Sequence, residues 1–175
     1  MNGLKDIKKS LSEERPAAWD DIPDMDLYMD QVLGYMRRQL FSSRPESSVT
    51  AAMINNYIRA GIMPRTKDKK YSRKHIARLT TICVLKQILS VGDISLLIQM
   101  FPPGHVHEVY NKYREVLDNE LTSVMEKIPD DGDNQVLADV IVRFIINSYA
   151  NKLAAEYIID MVKGQMNGNK VHLAR

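Results

Sequence analysis

Thr50-Ala-Ala-Met-Ile-Asn-Asn-Tyr-Ile-Arg-Ala-Gly61, continuing into Ile62-Met-Pro-Arg-Thr-Lys-Asp-Lys-Lys-Tyr71, is the stretch whose reading decides the fold. Thr50 has the side chain of a helix N-cap, because its hydroxyl accepts a backbone N–H that the first helical turn leaves unpaired. Gly61 supplies a stop. Between them Met53 or Ile54, Tyr57 and Ile58 make an inward stripe. Asn55, Asn56 and Arg59 turn to other faces, since helical neighbours advance by about 100°. Ile62-Met63 and Lys70-Tyr71 are short enough to pair as a two-stranded ribbon around Pro64 to Lys69, presenting Arg65, Lys67 and Lys69 at its tip. Ser72 then opens a second amphipathic helix, Arg73 to about Leu89. Its inward positions are Ile76, Leu79, Thr80 and Cys83, with Leu85 or Lys86 and Ile88 or Leu89 beyond. The predicted order is helix, wing, helix.

Charge is gathered in the same place. From Tyr57 to Lys86 there are nine Lys and Arg against one acid, Asp68, a formal +8, whereas the whole chain is +2 and the remainder is therefore −6. Such asymmetry points to a polyanion met by one face, nucleic acid being the commonest. Arg73 and Lys74 open a helix whose N-terminus favours anions, a placement that costs up to about 1 kcal/mol and that a bound phosphate would offset.

Working outward, residues 1–18 alternate charge with Leu4, Ile7 and Leu11, a weak amphipathic helix stopped by Pro16 and expected as a loose arm. Asp24 caps a helix to about Phe41, with Met25, Tyr28, Met29, Val32, Leu33, Met36 and Leu40 on one face, and Ser42 to Ser48 has the composition of a loop. After a turn at Ser90 to Asp93 comes a short helix, Ile94 to Phe101, ended by Pro102-Pro103. Two longer helices follow, His105 to Ile128 and Gln135 to about Lys163, then a polar tail. The last helix carries an unusually broad apolar surface from Leu137 to Met161, which either packs on the N-terminal part or joins two subunits. The expected fold class is all-α with a small two-stranded β wing. Its divisions are an arm at 1–18, a DNA-binding domain at 19–101, a helical dimerisation or effector region at 104–163 and a tail at 164–175.

The run Met53-Ile-Asn-Asn-Tyr57, then Ala60-Gly-Ile-Met-Pro64, then Lys70-Tyr-Ser72 opening a helix, resembles the winged helix-turn-helix of the MerR-type transcription regulators. Leu85 to Ile94 is similar to that family's closing helical turn. With Trp19 to Asp24 and Leu27 to Gln31, the span 19–101 looks like a family of uncharacterised bacterial proteins, a domain of unknown function regarded as MerR-like. The resemblance implies that the second helix reads the major groove and that the ribbon rides on the flanking backbone. Asn55 and Asn56 would then offer adenine a paired hydrogen bond. Arg65, Lys67, Lys69, Lys70, Arg73 and Arg78 would neutralise phosphates and set register, with Thr50, Tyr57, Arg59, Tyr71 and Lys74 completing the contact set. The bland readings stand beside these: one Asn bonding the loop backbone, and Tyr57 and Tyr71 packing in the core or against the wing rather than stacking on bases.

Catalysis has no candidate constellation, and neither a cofactor nor a metal is expected. His105 and His107 lie two apart, where helical side chains diverge, and no further Cys or His completes a set. Cys83 has no partner for a disulfide and reads as a buried thiol in a reducing cytoplasm. Met1 to Arg15 is polar throughout, and Val136 to Ile146 is interrupted by Asp139 and Arg143, so neither export nor a membrane span is expected. The functional expectation is a non-enzymatic transcription regulator that binds double-stranded DNA as a homodimer. A small apolar effector between the last helices is possible on this reading. The alternative is a protein-interaction adaptor using the Val136 to Met161 surface.

Overall fold

A computed structural model describes residues 3–39 and 49–173, with side chains as far as Met166. The expected end of the first long helix at Leu40-Phe41, the loop from Ser42 to Ser48, and the last two residues of the tail lie outside the described residues. Among the described residues seven α-helices follow in order: α1 (Leu4–Glu13), α2 (Met29–Gln39), α3 (Ala51–Arg59), α4 (Arg73–Leu85), α5 (Val91–Gln99), α6 (Val106–Glu126) and α7 (Asn134–Leu173), with one turn of 3-10 helix at Trp19–Asp21. The chain forms two compact units, residues 1–127 and 128–175. The first therefore includes α6, past the boundary expected between 101 and 104.

The protein is all-α, but the expected β wing is not formed: among the described residues there is no strand, only two isolated bridges. The backbone shows why. Ile62 and Met63 do not face Lys70 and Tyr71; their N–H groups both donate to the Tyr57 carbonyl, at 3.1 and 3.2 Å, and so finish the end of α3. Both side chains are buried in the core. Tyr71 instead exchanges two backbone hydrogen bonds with Leu27, at 2.8 and 2.9 Å. Lys67 and Lys70 close a tight turn on themselves, with Asp68 and Lys69 both in the left-handed region. The winged helix on which the likeness to the MerR-type regulators rested is thus absent from the described residues.

The same pairing shortens α2. Asp24 and Met25 form a bend, Leu27 has committed its N–H and C=O to Tyr71, and the helix begins only at Met29, where Gln31 Oε1 accepts the Tyr28 N–H at 2.8 Å. Helix α3 starts as expected, with Thr50 Oγ1 accepting from Met53 N–H at 3.2 Å, and Gly61 follows its end at φ +74°. Helix α4 ends at Leu85 rather than Leu89. Helix α5 starts earlier than expected, capped by Ser90, whose hydroxyl accepts from Asp93 N–H at 3.1 Å.

The core of the first unit is built from Val32 and Met36 of α2, Ile54 and Tyr57 of α3, Ile76, Leu79, Ile82 and Cys83 of α4, Ile94 of α5 and Tyr110 of α6. Burial of each large apolar side chain contributes roughly 1.5–3 kcal/mol. Helix α6 packs on α4 and α1. The expected loose arm is therefore tied down. Tyr110 Oη donates to the Ala17 carbonyl at 2.8 Å, Arg114 Nε to the Pro16 carbonyl at 3.1 Å, and Arg15 pairs with Asp118. In the second unit α7 runs on to Leu173, through most of the expected tail. No described helix is long and apolar enough to cross a membrane.

Candidate nucleic-acid interface

Helix α3 buries Ile54 and Tyr57, and its 3.6-residue period therefore leaves Asn55, Asn56 and Arg59 exposed on the opposite face. The loop that follows returns beside them. Asn55, Ile58 and Arg59 of α3 share a groove of about 690 Å³ with Arg65, Thr66, Lys69 and Tyr71 of the loop and with Met29 at the start of α2. Three cations, one amide and two hydroxyl-bearing side chains line it, and among the described residues no carboxylate does. Lys67 and Lys74 are exposed nearby in the chain. Lys70 lies with its Nζ 5.6 Å from the centre of the Tyr28 ring, a cation–π contact.

The expected site residues divide into three groups. Asn55, Arg59, Arg65, Lys69 and Tyr71 are brought together in the groove. Asn56 is exposed, but its Oδ1 already accepts from the Arg59 guanidinium, which leaves Asn55 the freer amide. Thr50 is engaged in capping, and Tyr57, 3% exposed, is a core residue whose hydroxyl burial holds its pKa above the usual range. Tyr71 is buried as well, although it is one of the residues that line the groove.

Arg73 and Arg78 do not stand free on the surface. Arg73 reaches Asp24 at 3.4 Å and Asp20 at 3.6 Å, and its guanidinium lies 5.9 Å from the Trp19 ring centre. These acids, from the segment before α2, offset the positive charge that opens α4, the task a phosphate was expected to perform. Both carboxylates are highly exposed, so each pair contributes no more than about 1 kcal/mol. Arg78 is half-buried, and that burial lowers its pKa.

At the same helix start, His75 stands where Glu or Gln usually completes a capping box. Its Nδ1 accepts the Ser72 N–H at 3.2 Å and lies 2.9 Å from the Ser72 hydroxyl. The ring meets Tyr71 edge-on at 5.8 Å. Burial lowers the His75 pKa, with Arg78 adding to the effect, while the Arg65 backbone and Asp26 oppose it. An acceptor at Nδ1 requires the neutral ring, so the geometry and the direction of the shift agree.

Sequence reasoning missed Met29, Ile58 and Thr66 in the groove, Tyr28 beside Lys70, and Asp20 and Asp24 on Arg73. Thr66 lies inside the basic run and was within reach of it. Ile58 shares α3 with Asn55 and Arg59; the others come from the segment around Leu27, which pairs with Tyr71 and leaves no local signal. Elsewhere, His105 meets Glu108 at 3.7 Å and His107 meets Asn111 at 2.8 Å; among the described residues no three His, Cys, Asp or Glu side chains form a group able to hold a metal.

No curated protein matches the chain, and no solved structure does. The family model that does match spans residues 17–119, from the segment that anchors to α6 through the groove and into α6 itself. That span is more than half of the chain, and the protein accordingly belongs to the family described as a domain of unknown function, DUF1836.

Proposed function

We propose that this protein binds duplex DNA through the exposed face of α3 and the loop from Pro64 to Tyr71, acting as a homodimeric bacterial transcription regulator without enzymatic activity. The observation that carries the reading is the convergence of Arg59, Arg65 and Lys69 with Asn55 on one groove whose lining, among the described residues, holds no acid. Cations so placed neutralise phosphates and fix register, and an exposed amide beside them is suited to a base edge. Asn55 is the better reader, since Asn56 spends its carbonyl oxygen on Arg59. The decisive experiment is titration of a fluorescent random duplex at several salt concentrations. Affinity is expected to fall with a log–log slope of about −0.9 for each phosphate neutralised; a flat response removes the proposal. Asn55→Ala should then change preference among sequences while leaving affinity for random duplex nearly intact.

A second reading has its own support in the second unit. On α7, Ile141, Ile145, Tyr149, Tyr157, Ile158 and Met161 are each more than half exposed, an apolar surface of the kind that marks association. It serves the homodimer, or else the alternative function of an adaptor that presents this surface to another protein. Light scattering on the isolated protein separates the two: a concentration-independent dimer supports the regulator, and a monomer supports the adaptor.

A further inference from the structure

We propose that the groove between α3 and the following loop is a phosphate-ester site that holds one nucleotide unit, supplied by a nucleic-acid strand or by a free nucleotide. For the strand, the inference rests on the reading above; for the free nucleotide, it stands without it. A groove of about 690 Å³ is the size of a small-molecule site, whereas flat contact with a duplex backbone needs no cavity.

The lining matches the two halves of such a ligand. Arg59 from α3 and Arg65 and Lys69 from the loop supply donors to the phosphate, and an arginine fork can grip two of its oxygens at once. Met29, Ile58 and Tyr71 offer apolar surface to a sugar or base, and Thr66 and Asn55 supply neutral hydrogen-bonding groups. That no carboxylate among the described residues joins this lining matters, because one within reach would repel the phosphate.

The contrast with another cleft of the first unit sharpens the assignment. That cleft, about 510 Å³ between residues 15–20 and α6, also holds two arginines, Arg15 and Arg114, but Asp20, Glu115 and Asp118 line it too. Arg15 is already paired with Asp118, and Arg114 Nε is bound to the Pro16 carbonyl. Its charge is spent internally. Among the described residues the charge of the α3 groove is not, apart from the Arg59–Asn56 contact.

The test is calorimetric titration of the full chain with adenosine 5′-monophosphate and, separately, adenosine, followed by competition of the nucleotide against a labelled duplex. The nucleotide should bind at one equivalent per chain and adenosine at least tenfold more weakly. Arg65→Ala combined with Lys69→Ala should weaken the nucleotide at least tenfold. If that pair fails to fold, Lys69→Gly alone removes one charge while suiting the left-handed backbone at that position, and should weaken binding several-fold. Nucleotide binding that displaces the duplex supports both proposals. Nucleotide binding by a protein that never binds duplex upholds the groove site and overturns the duplex reading. No nucleotide binding at millimolar concentration, equal binding of adenosine, or binding unmoved by the substitutions overturns the groove site, even where the duplex still binds.

Discussion

The segment from Arg59 to Arg78 and helix α7 solve opposite problems. In the first, every large apolar side chain is buried: Ile62, Met63, Tyr71 and Ile76 are all in the core, and apart from Asp68 the charge left outside is cationic. In the second, apolar residues lie all around the helix and many stay exposed. A surface of clustered charge with its greasy residues withdrawn suits a hydrated polyanion, which must bind and release. A surface of exposed isoleucine and tyrosine suits a permanent apolar partner. The chain thus carries two surfaces of opposite chemistry, which the proposed function assigns to different partners, each with its own predicted response to substitution.

The comparison breaks first at the core. Ile54→Ala should cost about 2–5 kcal/mol of unfolding free energy, since Ile54 is fully buried and its methyl groups leave a cavity. Ile145→Ala, at 60% exposure, should change it by no more than about 0.5 kcal/mol. Urea denaturation monitored by circular dichroism reads both, and equal losses would contradict the contrast. The N-terminus of α3 comes next: Thr50→Ala should cost about 1 kcal/mol by releasing the Met53 N–H, and Thr50→Ser should restore most of it. Lys69→Gly should gain up to about 1 kcal/mol by relieving the left-handed backbone at φ +59°, whereas Lys69→Ala, which removes the same charge, should gain nothing.

A pH profile sharpens the same contrast. The folded His75 pKa is below its ordinary value of 6.5, so the unfolded chain binds more protons near and below that pH. The stability linked to neutral His75 is present above pH 6.5 and is lost as pH falls from there through the lower folded value. His75→Gln keeps a side-chain acceptor at the third helical position and should flatten this part of the profile. The smallest effect belongs to α7: Ile145→Asp should leave the melting of a dilute monomer nearly unchanged while lowering the mass seen by light scattering. A dimer that survives both Ile145→Asp and Tyr149→Asp would move the association surface elsewhere.

Much of this was legible in local sequence, and the rest was not for a specific reason. Thr50 as cap, Gly61 as stop, the inward positions Ile54, Tyr57, Ile76, Leu79 and Cys83, and the exposed asparagines all depend on neighbours within a helical turn or two. The ribbon failed because its two short ends were matched to each other on proximity alone, when Tyr71 had a partner at Leu27, over forty residues earlier. That one pairing also delays α2 and brings Met29 into the groove. Arg73 was read as a free cation because Asp20 and Asp24 are distant in sequence. Tyr110 gave no hint that α6 belongs with the first unit, since an inward tyrosine on an amphipathic helix looks the same whatever it packs against.

The most direct test of the central claim compares salt dependence on one random duplex for the unaltered protein and for a variant carrying Arg59→Ala, Arg65→Ala and Lys69→Ala. If the three groove cations each neutralise a phosphate, the log–log slope should become shallower by about 2.7, at about 0.9 per contact, with melting temperature and helix content retained. An unchanged slope in a folded variant would contradict the account.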